Sequence, residues 1–487
     1  MASITETPPE ATGGTRLGAR LTLVLVCLVW AAHSSSLISL LSGNAQAQTE
    51  LHFRTTEISW FVLAPSLLSA FTGPFIYWSA TVFGKRRVLL AVACAALLGD
   101  LIAATATSFP VLIVGRAISG MYIGAAVLTY SLVRDVFPKR AVGQASGALA
   151  GGLALVGVGG PFLSGWLLDS YGFRGSLWCM AVITAVTVVL LTLFVPESNI
   201  RVPLTRFDWP GAMLLGVGFT ATVYALGQGS GWGWTSSREL ALLVGGIAAM
   251  LAFLVVEAKV AHPVFPITLL RRRAVWSMIA ATALVAGTAY TVGVPMALLA
   301  LLPHIPHVSA GLGFTATHYA VLGIPSSIIL LTAAASAGYL ARRFDPRLLL
   351  SAGAAVFAAS MVVAVFNHYD GAQTIALGVL ASLGMGLIMA STPVLVMSAV
   401  TPGEQPLGSG AQGMVMGLFQ AVITQVSYVV LAHSGRTLHG YQFYSDASFK
   451  NTFWLFAALG AAGTLAAFLM PRMKRVGEIE AGQAVPD

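Results

Sequence analysis

Along the chain, long apolar runs alternate with short polar connections, and the runs are about 20 residues long. At a rise of 1.5 Å per residue such a run crosses the roughly 30 Å hydrocarbon core of a bilayer as a helix. The apolar character is continuous within each run, whereas a membrane β-barrel shows alternating segments of about 10 residues. Backbone groups inside lipid must pair within their own segment, which again selects helices. The pattern predicts fourteen spans, the first six near residues 18–41, 57–80, 87–108, 110–133, 142–168 and 175–195. A central pair follows near 209–228 and 237–257, then six more near 274–302, 312–341, 346–367, 373–399, 407–432 and 450–470. The expected fold class is an all-α integral membrane protein, with polar tails at 1–15 and 476–487 read as disordered.

Charge then orients the spans. Positive connections stay cytoplasmic. With the N-terminus inside, twenty of the 26 Lys and Arg fall in cytoplasmic segments; five, Arg54, Arg174, Arg238, Arg436 and Lys450, fall outside. Both termini are therefore expected in the cytoplasm, around a multi-pass protein of the cell (inner) membrane. The formal net charge of +8 is a topology signal on this reading and does not call for a nucleic-acid partner. The stretch "FIYWSATVFGKRRVLL" (75–90) fits a tight cytoplasmic turn, with Gly84, Lys85, Arg86 and Arg87 between two spans.

Composition agrees: 57% of residues are apolar, 51 are glycine, and the mean hydropathy is +0.83. Cys27, Cys94 and Cys179 lie inside apolar runs without metal-ligand spacing, so they read as small buried hydrophobes. No small-residue cleavage site follows the first run, so a cleaved signal peptide is not expected. No cofactor or metal is expected, and no enzyme activity. The chain has no GxxxxGK[ST] phosphate loop, HExxH helix or facing Ser/Lys pair, nor the repeated filter or charged rings of a channel.

The segment "AGYLARRFDPRLLL" (337–350) repeats features of the opening turn: Phe344, Arg347 and Leu349–Leu350 stand where Phe83, Arg86 and Leu89–Leu90 stand eight spans earlier. Two six-helix bundles, 16–200 and 261–475, with a central two-helix insertion at 201–260, are the architecture this implies. Repeated halves characterise secondary transporters, whose substrate sites lie at the repeat interface near the midplane.

Several stretches, in this order, resemble the major facilitator superfamily, specifically its fourteen-span drug:proton antiporter branch. "EISWFVLAPSLLSA" (57–70), "FGKRRVLL" (83–90), "GRAISGMYIGAA" (115–126) and "GGPFLSGWLLDSYGFRGSLW" (159–178) are similar to its motifs in spans two to five. "FDWPGAMLL" (207–215), "GWGW" (231–234), "EAKVAHPVFPITLLRRR" (257–273) and "GFTATHYAVLGIPSS" (313–327) resemble the central pair, its exit and span ten. The resemblance implies the major facilitator fold and a monomeric exporter of small molecules driven by protons. The sequence also departs from that pattern. Tyr77 and Thr81 replace the Gly and Asp of the loop motif, and residues 18–49 hold no Asp or Glu. Ser119, Val156 and Ser164 stand where Gln, Gly and Gly are typical.

Charges inside lipid are costly, about 2.5–3.5 kcal/mol at a span centre, and are usually functional. Asp100 lies ten residues before Pro110 and Arg116 six after it, at matched depth in neighbouring antiparallel spans. Two readings stay open: a proton-switched pair that releases Arg116 to the cavity, or a fixed structural pair. His33, near the middle of span one, titrates close to physiological pH; it carries protons or is a hydrogen-bonded packing residue. Beside it, Ser34, Ser35 and Ser36 contact substrate or backbone. Gln412, Met416 and Gln420 share one helical face, which suits either a cavity for varied ligands or helix–helix hydrogen bonds. Tyr122, Tyr290, Met385 and Met389 join the cavity set. Gly157, Gly160 and Gly165, with Pro161, allow close packing and a bendable seam in span five, and Gly338 marks the corresponding turn of the second half. Trp60, Trp232 and Trp234 fall at membrane interfaces. His304, His307 and His318 fall in outer loops or at span ends, where metal binding or pH sensing is open to them.

The leading expectation is an exporter of amphipathic or hydrophobic small molecules working by alternating access, with proton exchange. The alternative is an uncoupled or differently coupled carrier of a lipid or specific solute, because the usual acidic coupling residues are missing.

Overall fold

The computed structural model describes residues 18–53, 57–125, 128–198, 208–260, 267–401, 404–438, 441–473 and 475. The tails 1–15 and 476–487 lie outside the described residues. The first half consists of α1 (Ala19–Phe53), α2 (Ser59–Phe83), α3 (Lys85–Thr105), α4 (Phe109–Ala125), α5 (Leu128–Val136) and α6 (Lys139–Leu193). A central hairpin follows, α7 (Trp209–Trp232) and α8 (Ser237–Glu257). The second half begins with α9 (Ile267–Leu270), α10 (Arg273–Thr291), α11 (Gly293–Leu301), α12 (Ala316–Leu322) and α13 (Ile324–Leu340). It ends with α14 (Pro346–Phe366), α15 (Gly371–Ala399), α16 (Gln405–His433) and α17 (Asp446–Phe468).

Eleven helices among the described residues are long and apolar enough to cross a bilayer, and up to 13 spans result when two bent pairs are added. This is a multi-pass membrane protein. The bends have identifiable causes. α2 turns by 47° between Gly73 and Phe75, and the α12–α13 pair turns by 42°. Pro74 stands at the first break and Pro325 just after the second, each removing a backbone donor.

α6 is 55 residues long, about 80 Å as a straight helix, and breaks at Gly172. Its φ of 65° is a left-handed value that glycine adopts without a Cβ penalty. The two arms run in opposite directions. The first follows α1: His33 donates to the Leu149 carbonyl, Asn44 to Ser164 and Gln48 to the Leu168 carbonyl. The second returns along α3: Arg174 donates to the carbonyls of Ala104 and Ala106, and Arg86 to those of Leu191 and Thr192. The end of the molecule carrying Gly84 is here the near end, and that carrying the α1–α2 connection the far end.

Helix pairing repeats between the halves. α1 packs on α6, α2 on α4, and α3 on α4 and α6; correspondingly, α10 packs on α16, α13 on α15, and α14 on α15 and α17. The first helix extends well past its expected end at 41, because the polar stretch after it stays helical and finds partners across the interface. Two antiparallel hairpins depart from the all-helical expectation: β1 (His304–Ile305) with β2 (Ser309–Ala310), and β3 (Arg436–Leu438) with β4 (Tyr441–Phe443). They meet at the far end, where Ala310 N–H donates to the Tyr444 carbonyl.

The apolar core is shared at one end and divided at the other. At the far end Ile38, Leu41, Phe61, Leu167 and Phe173 of the first half belong to the same cluster as Val292, Leu298, Leu302 and Phe449 of the second. At the near end the first half keeps its own cluster around Val24, Leu28, Leu89, Leu132 and Leu191. α7 leans on α2 and α16 through Leu63, Leu67, Phe219, Val223 and Ala421. α8 turns Val244, Ile247, Leu251 and Val255 outward, as a lipid-facing helix does. The same logic corrects the cysteines. Cys27 is buried, but Cys94 is exposed and Cys179 partly so, because an apolar residue on a membrane helix can face lipid as readily as core.

Candidate functional site

Hydrogen bonds that join the first half to the second fall at the far end or near mid-depth among the described residues. Asp169, at the end of the first arm of α6, accepts from the backbone N–H groups of Ala316 and Thr317 at 2.9 and 2.8 Å. Its carboxylate thereby caps the first turn of α12, where the orphan donors sit. Beside it Gly165 lies so close to α12 that a Cβ there would stand 2.8 Å from the Ala316 carbonyl oxygen. On α1, Gln46 donates to the hydroxyl of Tyr428 on α16. Tyr444, just after β4, donates to Glu50 Oε1 at 3.2 Å. Nearer mid-depth, Ser327 donates to the Gly157 carbonyl at 3.5 Å.

Asp100 and Arg116 do pair, inside the first half. Arg116 Nη1 lies 3.8 Å from Asp100 Oδ1, and both side chains are buried. Asp100 is held more tightly by hydroxyls: Ser119 donates at 2.5 Å and Thr184 at 2.6 Å. Arg116 donates to Ser42 at 3.0 Å and to Met180 Sδ at 3.4 Å, and its guanidinium lies 5.3 Å from the Phe61 ring centre. The knot ties α1, α2, α3, α4 and α6 together. Ser119, the departure from the motif's usual Gln, is one of its ligands.

The basic turn is a clamp as well as a topology signal. Gly84 has φ 108°, and the backbone N–H groups of Arg86 and Arg87 donate to the Glu197 carboxylate at 3.0 and 3.1 Å. Lys85 pairs with Asp135 at 2.6 Å, and Arg86 caps the carbonyl end of α6. A Cβ at Gly84 would stand 2.9 Å from the Glu197 carboxyl carbon. Glu197, from the same half, thus caps the first turn of α3.

The remaining residues scatter by role. His33 is buried and donates to the Leu149 carbonyl at 2.5 Å, so it sits as a link between α1 and α6. Ser34 and Ser35 donate back to Ala31 and Ala32 of their own helix, Tyr122 donates to the Ala31 carbonyl, and Ser36 is half-buried. Gln412 donates to Met416 Sδ at 3.6 Å, and Met416, Gln420, Met385, Met389 and Tyr290 are half-buried on α16, α15 and α10. Of the span-five glycines, Gly157 has open space where a Cβ would point, Gly160 makes ordinary contact with Leu37 and Leu40, and Gly165 alone meets backbone of the second half. Pro161 is half-buried beside them, and Gly338 lies in the last turns of α13. Trp60 packs on Tyr224 at 5.3 Å, while Trp232 and Trp234 are exposed. Glu50, Gln46, Tyr428, Tyr444 and Asp169 escape a hydropathy reading: they lie at or beyond the edges of the apolar runs, and their partners are distant in sequence.

A family model described as Major Facilitator Superfamily matches residues 21–335. The multidrug resistance protein Stp of Mycobacterium tuberculosis is 26% identical over 77% of this chain and 68% of its own length. The cephamycin export protein CmcT of Amycolatopsis lactamdurans is 30% identical over 81% of this chain and 80% of its own. Against the uncharacterised MFS-type transporter YhcA of Bacillus subtilis, at 26% identity, the chain spans 56% of that protein's length. Among solved structures, an auto-inhibited POT family peptide transporter aligns with a TM-score of 0.68 at 14% identity, over 94% of this chain and 98% of that one. A likeness at that identity concerns the fold alone.

Proposed function

The chain belongs to the Major Facilitator Superfamily, and from that premise we propose that it is a secondary active transporter. It exports amphipathic or hydrophobic small molecules by alternating access, in exchange for protons. The observation that carries this reading is the asymmetric joint: one core bridges the halves at the far end, while the first half has a separate core at the near end. Two bundles, 16–200 and 261–475, that rock about such a joint open the space between them to one side at a time. The insertion at 201–260 flanks them.

On this reading the two arms of α6 cross separately, and with the 13 candidate spans that supports fourteen crossings and both termini on one side. The positive-inside bias makes that side the cytoplasm of an inner-membrane protein. On this reading the near end, where the first half has its own core, is the cytoplasmic, substrate-loading side of a monomeric carrier. Names of relatives, multidrug resistance and cephamycin export, support outward movement of drug-like compounds. Among the described acidic residues only Asp100 lies near the middle of a span, and Arg116, Ser119 and Thr184 occupy it. The candidate cavity residues Gln412, Met416, Gln420, Tyr290, Met385 and Met389 are all uncharged, which suits neutral lipophilic substrates better than cations.

That same occupancy of Asp100 favours the second reading, an uncoupled or differently coupled carrier of a lipid or specific solute. Flux of a neutral lipophilic dye in proteoliposomes, with and without an imposed proton gradient, separates the two. Proton-coupled export predicts flux that rises several-fold with the gradient. Equal flux selects the second reading, and no flux of any tested solute sinks both.

A further inference from the structure

One carboxyl group at the joint is built differently from the other. Asp169 accepts two backbone N–H bonds from the first turn of α12. Glu50, across the joint on α1, is fully enclosed at 0% exposure and receives a single hydrogen bond, from Tyr444. Its Oε2 is buried without a partner. One helical turn earlier on the same face, Gln46 uses its amide N–H on Tyr428, and its Oε1 is likewise buried and unpartnered. The titratable groups that face Glu50 are Tyr444, beside β4, and Tyr428, from α16. On the α6 side, Gln48 meets the uncharged Leu168 carbonyl. No Lys, Arg or His among the described residues pairs with Glu50.

Two enclosed acceptors a turn apart, with no donor between them, lack one hydrogen atom. A proton on Glu50 Oε2 supplies it: the acid O–H donates to Gln46 Oε1, and both orphans are satisfied at once. An ionised carboxylate in the same place would be enclosed without a cation and with one donor, a costly state that opening to water relieves. We propose that Glu50 is a proton-binding site that latches the far-end joint: protonated, it seals α1 against Tyr444 and Tyr428; ionised, it admits water and parts the halves. The proton is taken from the water that the open joint faces, which under the positive-inside assignment is the exterior, and returns there when the joint opens. The proposal rests on the alternating-access reading, yet its test reads the joint directly and needs no substrate.

Ser108, between α3 and α4, and His433, at the end of α16, are both exposed at the far end on opposite halves. In a cysteine-free background, spin labels on Ser108→Cys and His433→Cys report the width of the joint in lipid nanodiscs by double electron–electron resonance. The expected result from pH 5 to 9 is a short distance that gives way to a longer one as pH rises. Glu50→Gln, which keeps a permanent donor in place of the acid proton, stays short throughout. Should that variant fail to fold, Tyr444→Phe keeps the ring and its packing and moves the opening midpoint down by about half a pH unit or more. A labelled parent protein without any pH response overturns the latch. So does a Glu50→Gln protein that opens with pH as its parent does, or a Tyr444→Phe midpoint that does not move. The distances are read without any transport, so failure of the latch and failure of the export reading are separable.

Discussion

Asp100 and Glu50 are both buried acids, but their surroundings assign them different work. Asp100 accepts from two hydroxyls with a guanidinium 3.8 Å away, inside one half. Glu50 sits between halves with a free oxygen. The first arrangement is that of a structural knot. Removing one member of a buried pair costs about 3–5 kcal/mol, because the other is left uncompensated. Asp100→Asn keeps an oxygen for Ser119, so a loss of about 3 kcal/mol is expected, read as a lower melting temperature in detergent. Adding Arg116→Met should recover most of that loss. A single variant as stable as the parent would release the pair for a part in transport. Counting residues from Pro110 was enough to pair Asp100 with Arg116 from sequence, since both lie in uninterrupted apolar helices. Glu50 was illegible because "SGNAQAQTELHF" (42–53) is too polar to look like part of a span. Asn44, Gln46 and Glu50 become tolerable there only through Ser164, Tyr428 and Tyr444, contacts no local pattern encodes.

Among elements, the joint between the first arm of α6 and α12 depends on Gly165. A valine there must displace the α12 backbone, which Cβ would approach at 2.8 Å. The expected outcome is a protein that folds and inserts normally but transports at least about ten-fold more slowly, because the wedge acts between bundles and not within one. Normal transport by Gly165→Val would show that the far end need not close tightly. The loop before α16 makes a pH prediction. Arg272 holds Glu404 bidentately at 2.7 and 2.8 Å and, with Thr401, brings its carboxyl down to about 2. A folded value below the ordinary 4.5 means the contribution is complete above 4.5 and disappears as pH falls through about 2. Melting temperatures at pH 6 and pH 2.5 should therefore differ more for the parent than for Glu404→Gln. Both groups are partly exposed, so the difference is small. Helix positions were largely legible from apolar run length, including the turn at Gly172, which falls between the runs 142–168 and 175–195, while the break at Gly73–Phe75 and the two hairpins were not. Turns and short strands leave little trace in hydropathy.

At the scale of the whole molecule, the repeat seen between residues 83–90 and 344–350 corresponds to a repeat of helix pairing across the two halves. The state of the molecule was beyond reach from sequence. Nothing in composition reveals that Leu41 and Phe61 share a core with Leu298 and Leu302 while Leu28 and Leu132 do not. The rocking of the halves about the far end is the claim on which the functional reading depends. Its most direct test bridges Gln46→Cys on α1 to Tyr428→Cys on α16 with a short, reducible bifunctional thiol reagent, in a protein lacking Cys27, Cys94 and Cys179. The account predicts that dye flux in proteoliposomes stops when the bridge forms and returns when it is reduced. Undiminished flux through the bridged protein would contradict it.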